Sequence, residues 1–155
     1  MPALAFPDVD STHWASKQIE ELSEQGVIVG YPDGTFKPDD NVTRAEFATM
    51  AIKALKQEHA NVAQTINFQD ITPEHWAYDS IQKAVYFDLI SNSDKAENFR
   101  PDDSVSRAES ITVAVNALTT EQISPYKAKE VLAKKYSDTD SIPDYFLIPA
   151  GKAEI

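Results

Sequence analysis

Two arginines occupy the same place in two similar stretches, Arg44 in "NVTRAEF" (residues 41–47) and Arg107 in "SVSRAES" (residues 104–110). A guanidinium is a planar fork that holds a carboxylate through two parallel hydrogen bonds, and amides at a helix N-terminus reinforce anion binding. Each arginine follows a hydroxyl residue and precedes a glutamate. Thr43-x-x-Glu46 and Ser106-x-x-Glu109 satisfy the capping-box pattern, in which hydroxyl and carboxylate cover unpaired N-terminal amides. Capping accounts for Thr43, Glu46, Ser106 and Glu109, with ligand contact as a second role. It leaves the arginines unexplained, because a positive charge in the first turn opposes the helix macrodipole and costs about 0.3–1 kcal/mol. Two uses stay open for Arg44 and Arg107: holding an acidic ligand, or pairing with the aspartates of the "PDD" just upstream.

Other residue types offer less. Trp14 and Trp76 could stack on sugar rings, but a tryptophan at the same helical position in each repeat reads first as a core anchor. His13 and His75 are too isolated for zinc, which wants three or four converging ligands, and read as solvated. The "DGT" at Asp33 and the "PDD" pairs lack the 12-residue calcium-loop spacing, so they read as turns and caps and no metal site is expected. Asp8 and Asp70, in F-x-D, fix the turn into the following helix or face a neighbouring unit. No serine–histidine–acid arrangement or carboxylate pair stands out, so no catalytic residue and no cofactor are expected.

Composition narrows the partners. Fourteen lysines and arginines face 25 acidic residues, a net charge of -11, with no basic run beside the aromatics, so a nucleic acid is excluded as partner. No apolar run approaches the roughly 20 residues that cross a bilayer, and no membrane insertion is expected. Absence of cysteine removes disulfides and thiolate metal sites without fixing the compartment. Ala3-Leu4-Ala5 has the A-x-A spacing left upstream of a signal-peptidase cut, which suits an exported protein; a chance tripeptide is the alternative.

The elements that must position these residues repeat. Phe6, Asp8, His13, Trp14, Ala15 and Ile19 recur at an offset of 62 as Phe68, Asp70, His75, Trp76, Ala77 and Ile81, and "FKPDDNVTRAE" recurs at 63 as "FRPDDSVSRAE". Each unit reads as helix, loop, helix. Ser11 or Thr12 caps a first helix with Trp14, Ala15, Ile19 and Leu22 on one face, and Gly26 ends it. Val27 to Val29 form a short apolar run, and Asp33-Gly34 supplies a turn. The second helix opens at Thr43 with a buried stripe of Phe47, Met50, Ala51, Ala54 and Leu55, repeated as Ile111, Val115 and Leu118. "KQEHANVAQTIN" from Lys56 extends that helix and then becomes linker. Ser124-Pro125 is an N-cap followed by proline at the first helical position. A weaker third start follows, with Tyr136 and Asp138 in the places of Phe68 and Asp70 and Tyr145 in that of Trp76. Its apolar face, Tyr145, Phe146 and Ile148, lacks a partner helix. The units are residues 1–58, a linker 59–67, 68–121, a connecting helix 122–135, and a partial third unit 136–155.

The order F-x-D-V, W-A, G-V-I-V-G-Y-P-D-G-T-F-x-P and V-T-R-A-E-F resembles the S-layer homology (SLH) module of bacterial cell-envelope proteins. The likeness is close over residues 6–55, good over 68–118 and partial over 136–155. It implies an all-α fold of tandem helix-loop-helix modules, a bundle with pseudo-threefold symmetry and projecting loops, with the third module incomplete here. It also implies grooves between modules that bind secondary cell-wall polysaccharide, often bearing a ketal-linked pyruvate, and hold the protein to peptidoglycan. On that footing the ligand-contacting candidates are Arg44, Arg107, Thr43, Glu46, Ser106, Glu109, Trp14, Trp76, Asp8, Asp70 and, in the loop, Gly30 and Tyr31. The second unit departs from the pattern: "SNSDKAENF" replaces "GYPDGTF" and loses both glycines, the tyrosine and the proline. The expected function is a non-catalytic anchor to the cell wall; the rival is assembly with other envelope proteins or with a second copy.

Overall fold

The computed structural model describes residues 6–63, 68–90, 97–118, 125–142 and 144–152, without the side chains of 125 and 144–147. Ala3-Leu4-Ala5, Ser124, most of "SNSDKAENF" and the side chains of Tyr145 and Phe146 lie outside it. The described residues are all-α, as expected: α1 (Ser16–Glu24), α2 (Arg44–Ala54), α3 (Tyr78–Tyr86), α4 (Arg107–Leu118), α5 (Pro125–Ala133) and α6 (Asp144–Lys152), with a 3-10 turn at Thr139–Ser141. Thr43 and Ser104 form an isolated antiparallel bridge.

The first helix begins later than the hydroxyls suggested. Thr12 donates its amide (2.8 Å) and its hydroxyl (2.7 Å) to Asp10 Oδ1, which makes a turn of the segment expected to start the helix. Neither helix start has a side-chain cap; the histidines instead hold the N-cap residues, His13 Nδ1 accepting from Ala15 N (3.3 Å) and His75 Nδ1 from Ala77 N (3.2 Å). They are therefore half-buried helix-start residues rather than solvated ones. Trp14 and Trp76, expected in the core, are 86% and 63% exposed. Each stands just before the N-cap alanine, outside the helical turn, and it is the alanine that faces inward; Ala77 is fully buried.

Gly26, at φ +74°, ends α1 as expected, with Val27 N returning to Leu22 O at 2.9 Å. The α2 helix does not run on into "KQEHANVAQTIN", because Lys56 turns left-handed (φ +56°) and Gln57 N closes on Ile52 O. Buried Lys83 of α3 then reaches the Glu58 carbonyl and the Asp79 carboxylate, tying that segment to the second unit.

Three cores result. Phe6, Ile19 and Ile28 pack with Leu22, Phe36 and Met50 inside the first unit. The largest core is shared: Ala45, Ala48 and Ile52 of α2 join Ile81, Val85, Leu89, Phe99 and Val113 of the second unit. The deepest face of α2 is thus Ala45, Ala48 and Ile52, not the expected stripe. Phe47, Met50, Ala51 and Leu55 are half-buried beside it, and Ala54 is exposed. Small residues lie innermost because α2 packs closely on α3 while also covering α1's core. In α4 Val113 is buried, Ile111 and Val115 are half-buried, and Leu118 is 84% exposed.

Pro125 opens α5 as expected. Ala128 and Leu132 form the third core with Ile142 and Ala150. The helix of the partial third unit does not lack a partner, since α6 lies against both α5 and α4 and Ile148 is half-buried. The pairing of α4 with α6 repeats that of α2 with α3, the second helix of one unit meeting the first helix of the next.

Candidate functional site

Both capping boxes are formed. Thr43 N donates to Glu46 Oε2 (2.8 Å) and Glu46 N to Thr43 Oγ1 (3.2 Å). Ser106 N donates to Glu109 Oε2 (2.8 Å), and Glu109 N to Ser106 Oγ (3.2 Å). The other carboxylate oxygen of each glutamate differs in use. Glu46 Oε1 accepts the hydroxyl of Tyr31 from its own unit's loop at 2.8 Å. Glu109 Oε1 is ion-paired with Nη1 of Arg44, from the preceding unit.

That pair explains how Arg44 tolerates its place. Its Nε donates to Phe99 O at 2.8 Å, its guanidinium lies 4.9 Å from the centre of the Phe99 ring, and its side chain is 15% exposed. The first-turn amides of α2 are spoken for as well: Arg44 N donates to Asp103 O (2.9 Å) and Ala45 N to Pro101 O (3.0 Å), while Val105 N returns to Val42 O (2.9 Å). The N-terminus of α2 is plugged into the second unit's loop, and Arg44 clasps the joint. Its partner is neither aspartate of its own "PDD" but Glu109 of α4, the helix whose Val113 shares a core with α2. Breaking such a partly buried pair from one side strands the other charge, at a cost of about 3 kcal/mol. Burial, and next the nearby Arg100 guanidinium, push the Arg44 pKa below its ordinary value. Arg107 is exposed and has no hydrogen-bond or ion-pair partner among the described residues.

A groove of about 560 Å³ runs along this joint. Its wall includes Arg44 and Phe47 of α2, Ile90, Phe99, Arg100 and residues 103–106 of the second unit's loop, and Glu109 of α4. Of the candidates named from sequence, Arg44, Ser106 and Glu109 meet here; Thr43 stands next to Arg44 as its cap. Glu46 is held between Thr43 and Tyr31 in the first unit. Burial would raise its pKa, but hydrogen bonds from Thr43 and Tyr31 outweigh that and keep its carboxyl below the usual range.

Asp8 and Asp70 do not fix the turn into the nearby helix; they reach across their units. Asp8 accepts from Phe36 N (2.9 Å) and Lys37 N (2.6 Å), and Asp70 from Phe99 N (2.7 Å) and Arg100 N (2.6 Å). Lys37 and Arg100 both stand at φ +59°, so each pair of amides forms a concave nest for a carboxylate. Asp70 thereby shapes the groove's loop from behind. Gly30 (φ +70°) lets the first unit's loop pass the Phe6 ring: a Cβ there would lie 2.3 Å from that ring and 2.7 Å from Thr35 O. Trp14 and Trp76 stand apart from the groove wall, each with a histidine ring beside it, at 5.7 and 5.8 Å between centroids.

Sequence reasoning passed over Arg100 and Phe99 as site residues and read Phe47 only as part of a buried stripe. The signal for Arg100 was present, a cation at the same place in "FKP" and "FRP". Among the described residues no group of three or more His, Cys, Asp and Glu could hold a metal, and no helix is long and apolar enough to cross a membrane.

Tandem helix-loop-helix units with an arginine plugged into the next unit define a repeat-built module, and comparison with known proteins gives it a family. Residues 5–48 and 67–109 match the S-layer homology domain, and the chain belongs to that family. It is similar to the cellulosome-anchoring protein of Acetivibrio thermocellus, with 38% identity over 120 residues, covering 75% of this chain and 26% of that protein. It is also similar to cell surface glycoprotein 1 of the same organism, with 38% identity over 124 residues, 75% of this chain and 5% of that one. The S-layer protein of Bacillus licheniformis shares 32% identity over 134 residues, 86% of this chain and 14% of its own length. The chain therefore spans a small part of these relatives. Domains of this family anchor proteins to the cell surface.

Proposed function

We propose that the chain is a non-catalytic, exported anchor that holds a larger protein to the cell envelope by binding peptidoglycan-linked secondary cell-wall polysaccharide in the groove between its units. The observation that carries this reading is the groove itself, where the guanidinium groups of Arg44 and Arg100 converge in a chain of net charge -11. An acidic sugar substituent, such as a ketal-linked pyruvate, suits a groove whose wall carries a guanidinium fork. Repulsion from the rest of the surface is screened over about 8 Å at physiological salt.

Co-sedimentation with purified sacculi tests the proposal. Wild type pellets with them, and Arg44→Ala plus Arg100→Ala releases most of the protein. Undiminished binding by the double variant removes both arginines from the mechanism. A second reading, assembly with envelope proteins or a second copy, draws on the exposure of Trp14 (86%) and Tyr126 (81%). Light scattering over a concentration series separates the two, since a strict monomer that pellets with sacculi defeats self-assembly.

A further inference from the structure

We infer that Arg100 is the residue that meets the acidic group of the glycan, and that Arg44 is a positioning residue holding the two units in register; this rests on the anchoring function proposed above. The two cations line one groove but differ in how far they are committed. Arg44 spends Nε on Phe99 O and Nη1 on Glu109, with the Phe99 ring against its guanidinium. A ligand carboxylate that took this fork face-on would evict Glu109 and leave its half-buried charge without a partner. It would also loosen the joint that shapes the groove.

Arg100 carries no such duty. Its side chain is 62% exposed, and its ion partner is Asp103 at 3.4 Å, itself 57% exposed. An exposed pair of this kind contributes little, so a ligand carboxylate can replace Asp103 at small cost.

The backbone adds an independent argument. Arg100 stands at φ +59°, a region that glycine or asparagine enters more easily, and Asp70 holds it there through the amides of Phe99 and Arg100. A long cation kept at a left-handed position, where a smaller residue would relax the chain, marks a side chain in use. The first unit also has a cation there, Lys37, but its ammonium lies 4.3 Å over the Tyr31 ring. Arg100 instead opens onto the groove. The ligand it fits is a glycan carrying a carboxylate, read through two parallel hydrogen bonds.

Binding to native sacculi and to sacculi whose carboxylates have been amidated with carbodiimide tests the assignment, with Tm measured on every variant. Arg100→Ala is expected to bind native sacculi about tenfold more weakly with unchanged Tm, and Arg100→Lys to recover part of the loss. On amidated sacculi wild type falls to the level of Arg100→Ala, and the variant loses nothing further. Arg44→Ala weakens binding to both preparations and lowers Tm. Glu109→Gln frees Arg44 while keeping a capping side chain, and is expected not to tighten binding. Wild-type affinity in Arg100→Ala, an Arg100→Ala deficit undiminished on amidated sacculi, or tighter binding by Glu109→Gln overturns the inference while leaving the anchor standing. Failure of wild type to bind native sacculi overturns both.

Discussion

The N-termini of α2 and α4 begin with the same device and diverge at a single oxygen. Glu46 and Glu109 each close a capping box with one carboxylate oxygen. Glu46 gives the other to Tyr31, within its own unit, whereas Glu109 gives it to Arg44, across the joint. One motif thus closes a loop in the first unit and fastens two units together in the second. The arginines are as unequal: Arg44 is a half-buried clasp, and Arg107, at the matching place, is exposed and without a partner among the described residues. Equivalence in the repeat does not carry equivalence of role, because role depends on what the next unit delivers.

The comparison can be broken most severely at the first unit's loop. Gly30→Ala should cost about 4 kcal/mol, combining a left-handed backbone with a Cβ pressed on the Phe6 ring and Thr35 O. Urea unfolding measures it, and a loss under 1 kcal/mol would mean the loop has another path. Next comes the pair of arginines. Arg44→Ala should lose about 3 kcal/mol, whereas Arg107→Ala stays within about 0.5 kcal/mol of wild type. Equal losses would erase the asymmetry.

The smallest loss belongs to Tyr31. Tyr31→Phe should cost about 1 kcal/mol by removing the hydroxyl from Glu46. The hydrogen bond to Glu46, with burial behind it, pushes the Tyr31 phenol up from 10.0 to about 12. A raised folded-state value means this stabilisation is complete below pH 10 and fades as pH climbs through about 12. Alkaline unfolding of wild type should show that extra loss, and Tyr31→Phe should lack it.

Much of this was legible in the sequence. The repeat, the all-α units, the capping boxes and the anomaly of an arginine at the wrong end of a helix are local patterns. Residues that answer to distant neighbours were not legible. Glu109 lies 65 positions from Arg44, and the two meet across a core that Ala45, Ala48 and Ile52 share with the second unit. Asp8 and Asp70 looked like turn formers because their nests are built 28 to 30 residues away. The tryptophans misled because residue type suggested a core, whereas a position one step before the N-cap decides where a side chain points.

The shared core puts the unit of sequence out of step with the unit of folding. A repeat runs from one F-x-D to the next, but α2 completes its burial only against the repeat that follows. Cutting the chain between Lys56 and Phe68 would therefore not yield two independent halves. The fragments would stay docked as a noncovalent pair, with Ile52 on one piece still seated against Ile81 and Leu89 on the other.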